Sequence, residues 1–177
     1  MLRTLGLGIA LGLGLSAALG CQGPPPAPPE LSGEAVEIVP PAAPLPVTAW
    51  VRPGSFRRSR VSPSGAQVRF ADVLRESKIF ARVVEEAPEP GAPVLELELA
   101  GADYGEPRAY TLELQVAVLR ERRLVESYFA KYSFQQPEGV RSQLTVGPAE
   151  LGQLAERAIR DLCAQLAANA DQLTREP

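Results

Sequence analysis

The sequence has no histidine, two cysteines and very little lysine among its 177 residues. Histidine is the side chain most often used as a general base near neutral pH and is the commonest metal ligand, so its absence argues against many hydrolytic mechanisms and metal sites. The net charge of -3 is too small to favour binding to nucleic acid. The sequence therefore argues against many kinds of enzyme and against a protein that binds nucleic acid.

Other catalytic signals are also weak. Glu96 and Glu98 share one face of a predicted strand at about 7 Å, but neighbouring charges favour a solvated charged face over an acid/base pair. No Gly-x-Ser-x-Gly element is present, and the closely spaced glycines near the start do not lie between a strand and a helix. We therefore predict a protein that is not an enzyme and that has no cofactor and no metal.

The first residues, MLRTLGLGIALGLGLSAALGC, have the order of an export signal. A basic start at Arg3 is followed by an uncharged apolar run from Leu5 to Leu19, and small residues precede Cys21. The run is about 22 Å long as a helix, which is short of the hydrocarbon core of about 30 Å that a spanning helix crosses. Residues 1–20 are therefore predicted to be a signal peptide.

Ala18-Leu19-Gly20-Cys21 resembles the lipobox of bacterial lipoproteins. The resemblance implies that Cys21 is acylated and becomes the first residue of the mature protein, which is then anchored in the lipid bilayer. Gln22 follows, and the sorting rule of such lipoproteins then implies the outer membrane, facing the periplasm. The alternative is a secreted protein in which Cys21 and Cys163 form a disulfide; Cys163 lies on the apolar side of a predicted helix, where a free thiol packs well.

Residues 21–46 are rich in proline and alanine and contain no basic residue. Proline cannot donate ladder hydrogen bonds and favours extended geometry, so this segment is predicted to be a tether. Docking of its prolines into a partner is the alternative. A short run, Ala35 to Val39, alternates enough to form an edge strand and is left unassigned.

Residues 47–177 are predicted to form one α+β domain with the order β-α-β-β-β-β-α. VTAWV is the first strand, Ser64 caps a helix that runs to about Phe80 with Val68 facing inward, and ARVVEE is the next strand. Three strands with alternating apolar residues follow, and a helix runs from Pro148 to about Leu173. We expect a mixed, mostly antiparallel sheet of about five strands with two helices on one face, in which the first two strands pair in parallel.

This arrangement, with FADVLRESKIFARVVEE followed by VLELEL behind a lipobox, is similar to three kinds of periplasmic domain. They are those of lipopolysaccharide-assembly lipoproteins, the amino-terminal domain of the TolB protein, and lipoprotein activators of penicillin-binding proteins. The resemblance implies a related fold, and a partner in the envelope that is a protein or a glycolipid.

Two features are candidate binding surfaces. Arginine forks suit phosphate and carboxylate groups, and a basic loop, with Arg69 nearby, carries Arg52, Arg57, Arg58 and Arg60. The alternative for the loop is a solvated flexible segment. The second feature is a set of aromatic residues that either line a partner groove or, as we favour for most of them, pack in the core: Trp50, Phe70, Tyr128, Phe129, Tyr132 and Phe134.

These observations predict an anchored lipoprotein that binds an envelope component and assists its assembly or transport. The alternative is a regulatory lipoprotein that activates a periplasmic cell-wall enzyme by protein contact.

Overall fold

The computed structural model describes residues 30–56, 62–86, 91–106, 108–138 and 144–174. Their elements follow in chain order: β1 (Glu30–Leu31), β2 (Leu45–Pro53), α1 (Pro63–Ser77), β3 (Phe80–Val84), β4 (Val94–Glu106), β5 (Ala109–Arg120), β6 (Arg123–Gln135), α2 (Pro148–Ala168) and α3 (Ala170–Thr174). The predicted α+β class is confirmed.

The strands form one mixed sheet in the order β1-β6-β5-β4-β2-β3. Strands β4, β5 and β6 are consecutive and antiparallel, as their short connections predict. Strand β2 lies between β3 and β4 and is parallel to both, so the predicted parallel pairing of the first two strands is also confirmed. The sheet has one strand more than the sequence predicts, because β1 pairs with the outer edge of β6.

One face of the sheet packs against α1 and α2, and the alternation of apolar residues in the sequence matches this face. Leu95 and Leu97 of β4 and Leu112 and Leu114 of β5 are fully buried. Apolar residues on every second position of a strand share one face, which explains the match. The helices complete the core with the fully buried side chains Phe70, Leu74, Leu154, Ile159, Leu162 and Leu166.

Helix α1 differs from its prediction at both ends and in its inward face. Its N-cap is Ser62, not Ser64: the Ser62 side chain accepts from the backbone N–H of Gly65, and Pro63 occupies the first turn. The helix ends before Lys78, which has a left-handed φ of 53°. Val68 is 49% exposed, since α1 packs against the core through Phe70 and Leu74, which are fully buried.

Helix α2 begins at Pro148, as predicted, and is preceded by Gly147. The Glu150 carboxylate accepts from the Gly147 N–H at 3.0 Å, which satisfies one of the free donors at this end. The predicted single helix to about Leu173 is interrupted at Asn169, and α3 continues after it. No helix in the described ranges is sufficiently long and apolar to span a membrane.

The described part of the predicted tether contacts the domain. Beyond β1, Ser32 Oγ lies 3.0 Å from Ser133 Oγ, and Arg157 of α2 donates to the Gly33 carbonyl at 2.5 Å. Ile38 packs against the core. Residues 32–44, here called the N-terminal segment, run over the helix side of the domain, where Glu37, Val39, Pro40 and Pro41 face Ala164, Ala167 and Ala168 of α2. The backbone N–H of Ser32 also donates to the Ser133 carbonyl at 2.8 Å. One backbone hydrogen bond and several side-chain contacts therefore hold this proline-bearing stretch against the domain.

Candidate functional site

Most of the predicted site residues lie outside the described residues. These are the lipidation residue Cys21 and the loop residues Arg57, Arg58 and Arg60. Arg52, the fourth arginine of the predicted basic surface, is described, and it lies on the sheet face that the helices do not cover.

Arg52 is engaged by its neighbours on that face. Its guanidinium donates to the Glu96 carboxylate at 2.8 Å and lies 5.4 Å from the centre of the Trp50 ring. The side chains of Arg52 and Glu96 keep 40% and 20% of their exposure, so the pair is half-open to solvent. Glu96 thus belongs to a charged face, as the sequence indicated, and balances the charge of Arg52.

Next to this ion pair, an apolar row crosses the open face of the sheet. The register pairs Trp50 with Val84 on one side and Val94 on the other. The row continues through the pairs Val94–Leu119 and Leu119–Leu124, so it takes one residue from each of five strands. We call these five residues the open-face row: Val84, Trp50, Val94, Leu119 and Leu124.

The open-face row is accessible. Leu124 is 61% exposed, and the other four members are half-buried. Rows of apolar residues on an uncovered sheet face are unusual, because outward positions of such strands are normally polar. The row therefore marks this end of the face as a candidate surface for a partner.

The aromatic residues divide between core and surface. Four of them are buried on the helix side of the sheet, as the sequence predicts for most of the set: Phe70, Tyr128, Tyr132 and Phe134. Phe129 is 49% exposed on the open face. Together with Trp50 it is the part of the aromatic set that remains available to a partner.

A second candidate site lies between the two helices. A groove of about 380 Å³ is bordered by the first halves of α1 and α2, and it falls in the size range of small-ligand pockets. We call it the interhelix groove; its lining residues are Ser62, Gly65, Ala66, Arg69, Val146, Pro148, Leu151, Gly152, Ala155, Glu156 and Ile159. Small residues on both helices keep the space between them open.

An ion network borders the interhelix groove. Arg69 of α1 donates to both carboxylate oxygens of Glu156 at 2.5 and 2.6 Å, and Arg160 donates to the same carboxylate at 2.8 Å. The hydrogen bond from Arg69, joined by that from Arg160, holds the pKa of Glu156 below its usual value, although partial burial opposes the shift. Glu76 lies 3.6 Å from Arg69, so two carboxylates face two guanidinium groups.

The interhelix groove lies toward the end of the domain where β1 enters. Along α2 toward its start, Gln165 contacts the Phe129 carbonyl, Asp161 accepts from Tyr132, and Arg157 contacts Gly33. The start of α2 therefore points in the same direction as the end of β6, which pairs with Glu30. The open-face row includes Leu124, near the opposite end of β6.

Cys163 has a structural environment. Its side chain is fully buried in α2, and burial raises the pKa of its thiol. Within the described ranges, no group of three or more histidine, cysteine, aspartate or glutamate side chains is placed to hold a metal ion.

The sequence indicates Trp50 and Phe129 as candidate partner contacts, but it indicates neither the open-face row nor the interhelix groove. Glu156 and Arg160 lie on the polar side of α2, and nothing in the local sequence shows that they face Arg69. The signal for the groove is the small residues Gly65 and Ala66 on one helix and Gly152 and Ala155 on the other, which are informative only once the helices are known to be neighbours. The signal for the open-face row is that Trp50 and Leu124 are apolar residues at outward-facing strand positions. These positions can be recognised as neighbours only once the strand register is known.

No protein-family model matches this sequence, and a search of curated proteins finds no match. Among solved structures, the chain is similar to protein XCC0632 from Xanthomonas campestris, of family model DUF330. That similarity has a TM-score of 0.50 and 15% identity, and it covers 77% of this chain and 92% of that one. At this identity it shows a shared fold.

Two other structures are less similar. The PelC dodecamer from Paraburkholderia phytofirmans has a TM-score of 0.43 at 13% identity, covering 79% of this chain and 97% of that one. A minor lipoprotein from Acinetobacter baumannii has a TM-score of 0.40 at 12% identity, covering 76% of this chain and 99% of that one.

Proposed function

We propose that this protein is a lipid-anchored envelope lipoprotein that binds an envelope component and assists its assembly or transport without catalysing a reaction. The observation that carries the proposal is the pairing of a lipobox-type cysteine with a domain that has a partly exposed apolar surface. The open-face row supplies that surface.

Attachment rests on Cys21 and the residues before it. Acyl chains contribute about 0.8 kcal/mol per buried methylene, and more than one chain gives firm anchoring. The anchor sits close to the domain, because the chain between Cys21 and Glu30 spans at most about 30 Å even when fully extended. A partner of this domain is therefore one found near a membrane surface.

Binding rests on the open-face row and its surroundings. Trp50 and Phe129 are aromatic residues of the kind that anchor protein interfaces, and Leu124 projects an apolar side chain into solvent. The adjacent Arg52–Glu96 pair is half-open, as expected at the polar rim of an interface. A protein partner fits this combination better than a free anion, because Glu96 already neutralises Arg52.

The absence of catalysis is part of the proposal. The sequence has no histidine. Burial raises the pKa of the Cys163 thiol, and because the thiolate is the reactive form, this thiol is a poor nucleophile. Glu96 is committed to its ion pair with Arg52.

Attachment is tested by labelling cells with a radioactive fatty acid. The wild-type chain should carry label and the Cys21→Ala variant should not; label retained by that variant would refute the lipobox assignment. The Cys163→Ala variant is the matched control and should be labelled like the wild type.

The binding role is tested by replacing Leu124 with a photoreactive phenylalanine analogue in the full chain and irradiating intact cells. Lys131, which pairs with Glu113 of β5 on the same open face, is the control position. Capture of envelope export machinery or glycolipid from position 124 supports the assembly role, and capture of a cell-wall synthase supports the regulatory alternative. Equal products from both positions would contradict a partner surface at the open-face row.

A further inference from the structure

The interhelix groove has a chemistry of its own, different from that of the open-face row. Its walls are formed mainly by the apolar side chains of Ala66, Val146, Leu151, Ala155 and Ile159. The charged groups at its border are Arg69 and Glu156, which are bound to each other. Since Arg160 and Glu76 extend this pairing, the border presents no net charge to a ligand. The groove therefore favours a hydrocarbon ligand over an ion.

The position of the interhelix groove indicates where the hydrocarbon comes from. Arg157 contacts Gly33, and the start of α2 at Pro148 is about 14 Å further along the helix. Gly33 follows β1, and Glu30 is within about 30 Å of Cys21 along the chain. If Cys21 is acylated, the anchor holds the groove within reach of the bilayer.

The geometry points to an acyl chain of a bilayer lipid as the ligand of the interhelix groove. The acyl chain lies between the first halves of α1 and α2, against Leu151 and Ile159, and the lipid headgroup stays outside the groove. This inference rests on the proposed function, because the anchor provides the proximity to lipid.

Substitution of Gly152 is expected to block the interhelix groove without disturbing the fold. Gly152 lines the groove, and a Cβ built on it meets no atom within 4 Å. A larger side chain at this position enters open space, and any residue other than glycine or proline suits a helix interior better. The Gly152→Trp variant should therefore fold and fill the groove. The matched control is Gln153→Trp, since Gln153 is the next residue of α2 and is exposed.

The experiment uses the full chain reconstituted in vesicles of phosphatidylethanolamine and phosphatidylglycerol. A fraction of the phosphatidylethanolamine carries a diazirine on its acyl chain, and peptides that carry lipid after irradiation are identified by mass spectrometry. We expect adducts on the lining residues of α2 and around Val146. The yield should fall several-fold in Gly152→Trp and stay at the wild-type level in Gln153→Trp. Thermal melting of each variant verifies that it is folded.

Three results would overturn the inference. The first is an absence of adducts on the groove in a folded wild-type chain, as expected if another segment of the protein fills it. The second is an equal yield in Gly152→Trp and Gln153→Trp. The third is labelling of the groove in the Cys21→Ala chain but not in the acylated chain, which would assign the groove to the protein's own anchor.

The intact mass of the wild-type protein separates this inference from the proposed function. A mass without acyl groups, combined with groove adducts that Gly152→Trp removes, would refute the anchoring proposal and leave the ligand assignment standing. An acylated mass without such adducts would leave the anchoring proposal standing and refute the ligand assignment.

Discussion

Arg69 of α1 and Glu156 of α2 form a two-point ion pair, with Nε to Oε2 at 2.5 Å and Nη2 to Oε1 at 2.6 Å. Paired guanidinium and carboxylate groups in this geometry are stronger than single contacts, because both bonds are charge-assisted and parallel. The two residues are 87 positions apart in sequence. Their pairing therefore joins the two helices that enclose the interhelix groove.

The pairing makes stability depend on pH in a defined direction. Because hydrogen bonds from Arg69 and Arg160 lower the pKa of Glu156 below the ordinary value of a glutamate, their contribution is present above the unfolded pKa and is lost as pH falls through the folded pKa. The groups are about one-third exposed, which limits the contribution to about 1 kcal/mol. Urea unfolding from pH 6 to pH 3 should show a smaller loss of stability in Glu156→Gln than in the wild type. Parallel losses would contradict this assignment.

Gly33 is predicted to be required for the position of the N-terminal segment. It has a φ of 83°, and a Cβ there would lie 3.0 Å from Cε1 of Tyr132. Gly33→Ala should lower the free energy of unfolding by about 1 to 2 kcal/mol and speed proteolysis between residues 33 and 44. Gly91→Ala is the control, because Gly91 has a φ of 79° but no atom near its Cβ. It should cost stability without exposing that segment; equal cleavage in both variants would argue against the contact with Tyr132.

The turn between β5 and β6 is predicted to be a weak point that substitution can repair. Glu121 and Arg122 both have positive φ, at 48° and 67°, as in a type I′ turn, where asparagine and glycine are favoured. Replacing them together by Asn and Gly should raise the free energy of unfolding by about 1 kcal/mol in thermal or urea denaturation. Arg123→Gly, one residue later in the strand, should destabilise instead. A destabilised Asn-Gly variant would show that the native side chains make contacts that outweigh the turn preference.

Cys163 is predicted to be a free but unreactive thiol. Burial raises its pKa, and the thiolate is the form that reacts, so the folded acylated protein should not react with a disulfide reagent at pH 8. In urea one thiol per chain should react, and none in Cys163→Ala. A folded protein that reacts rapidly would contradict the burial, and an unfolded one with no reactive thiol would favour the disulfide with Cys21.

Much of the fold could be predicted from local sequence. The alternation of Leu95 and Leu97, and that of Leu112 and Leu114, predicts which faces of β4 and β5 are buried, because side chains alternate along any strand. The same reasoning was less successful for α1. Ser64 is the predicted N-cap, but Ser62 takes that position in the structure. Val68 is excluded from the inward face because α1 packs against α2 as well as against the sheet.

The candidate surfaces could not be predicted in this way. The composition of the basic loop predicts a binding surface, yet its one described arginine, Arg52, is held by Glu96 from another strand. The N-terminal segment has the composition of a tether, yet Ser32 and Gly33 contact the sheet and α2. Composition describes what a segment prefers in isolation, and these contacts come from residues 44 to 124 positions away.

The sequence by itself determined the α+β class, the faces of the long strands and the candidate anchor at Cys21, because each of these depends on periodicity or on a short motif. Only the tertiary structure decided that β2 lies between β3 and β4, which aligns Trp50 with Val94 in the open-face row. It also decided that Arg69 meets Glu156 beside the interhelix groove. The physical reason is that strand order and helix packing are set by the joint burial of apolar surface from distant segments, and no local pattern encodes which of them become neighbours.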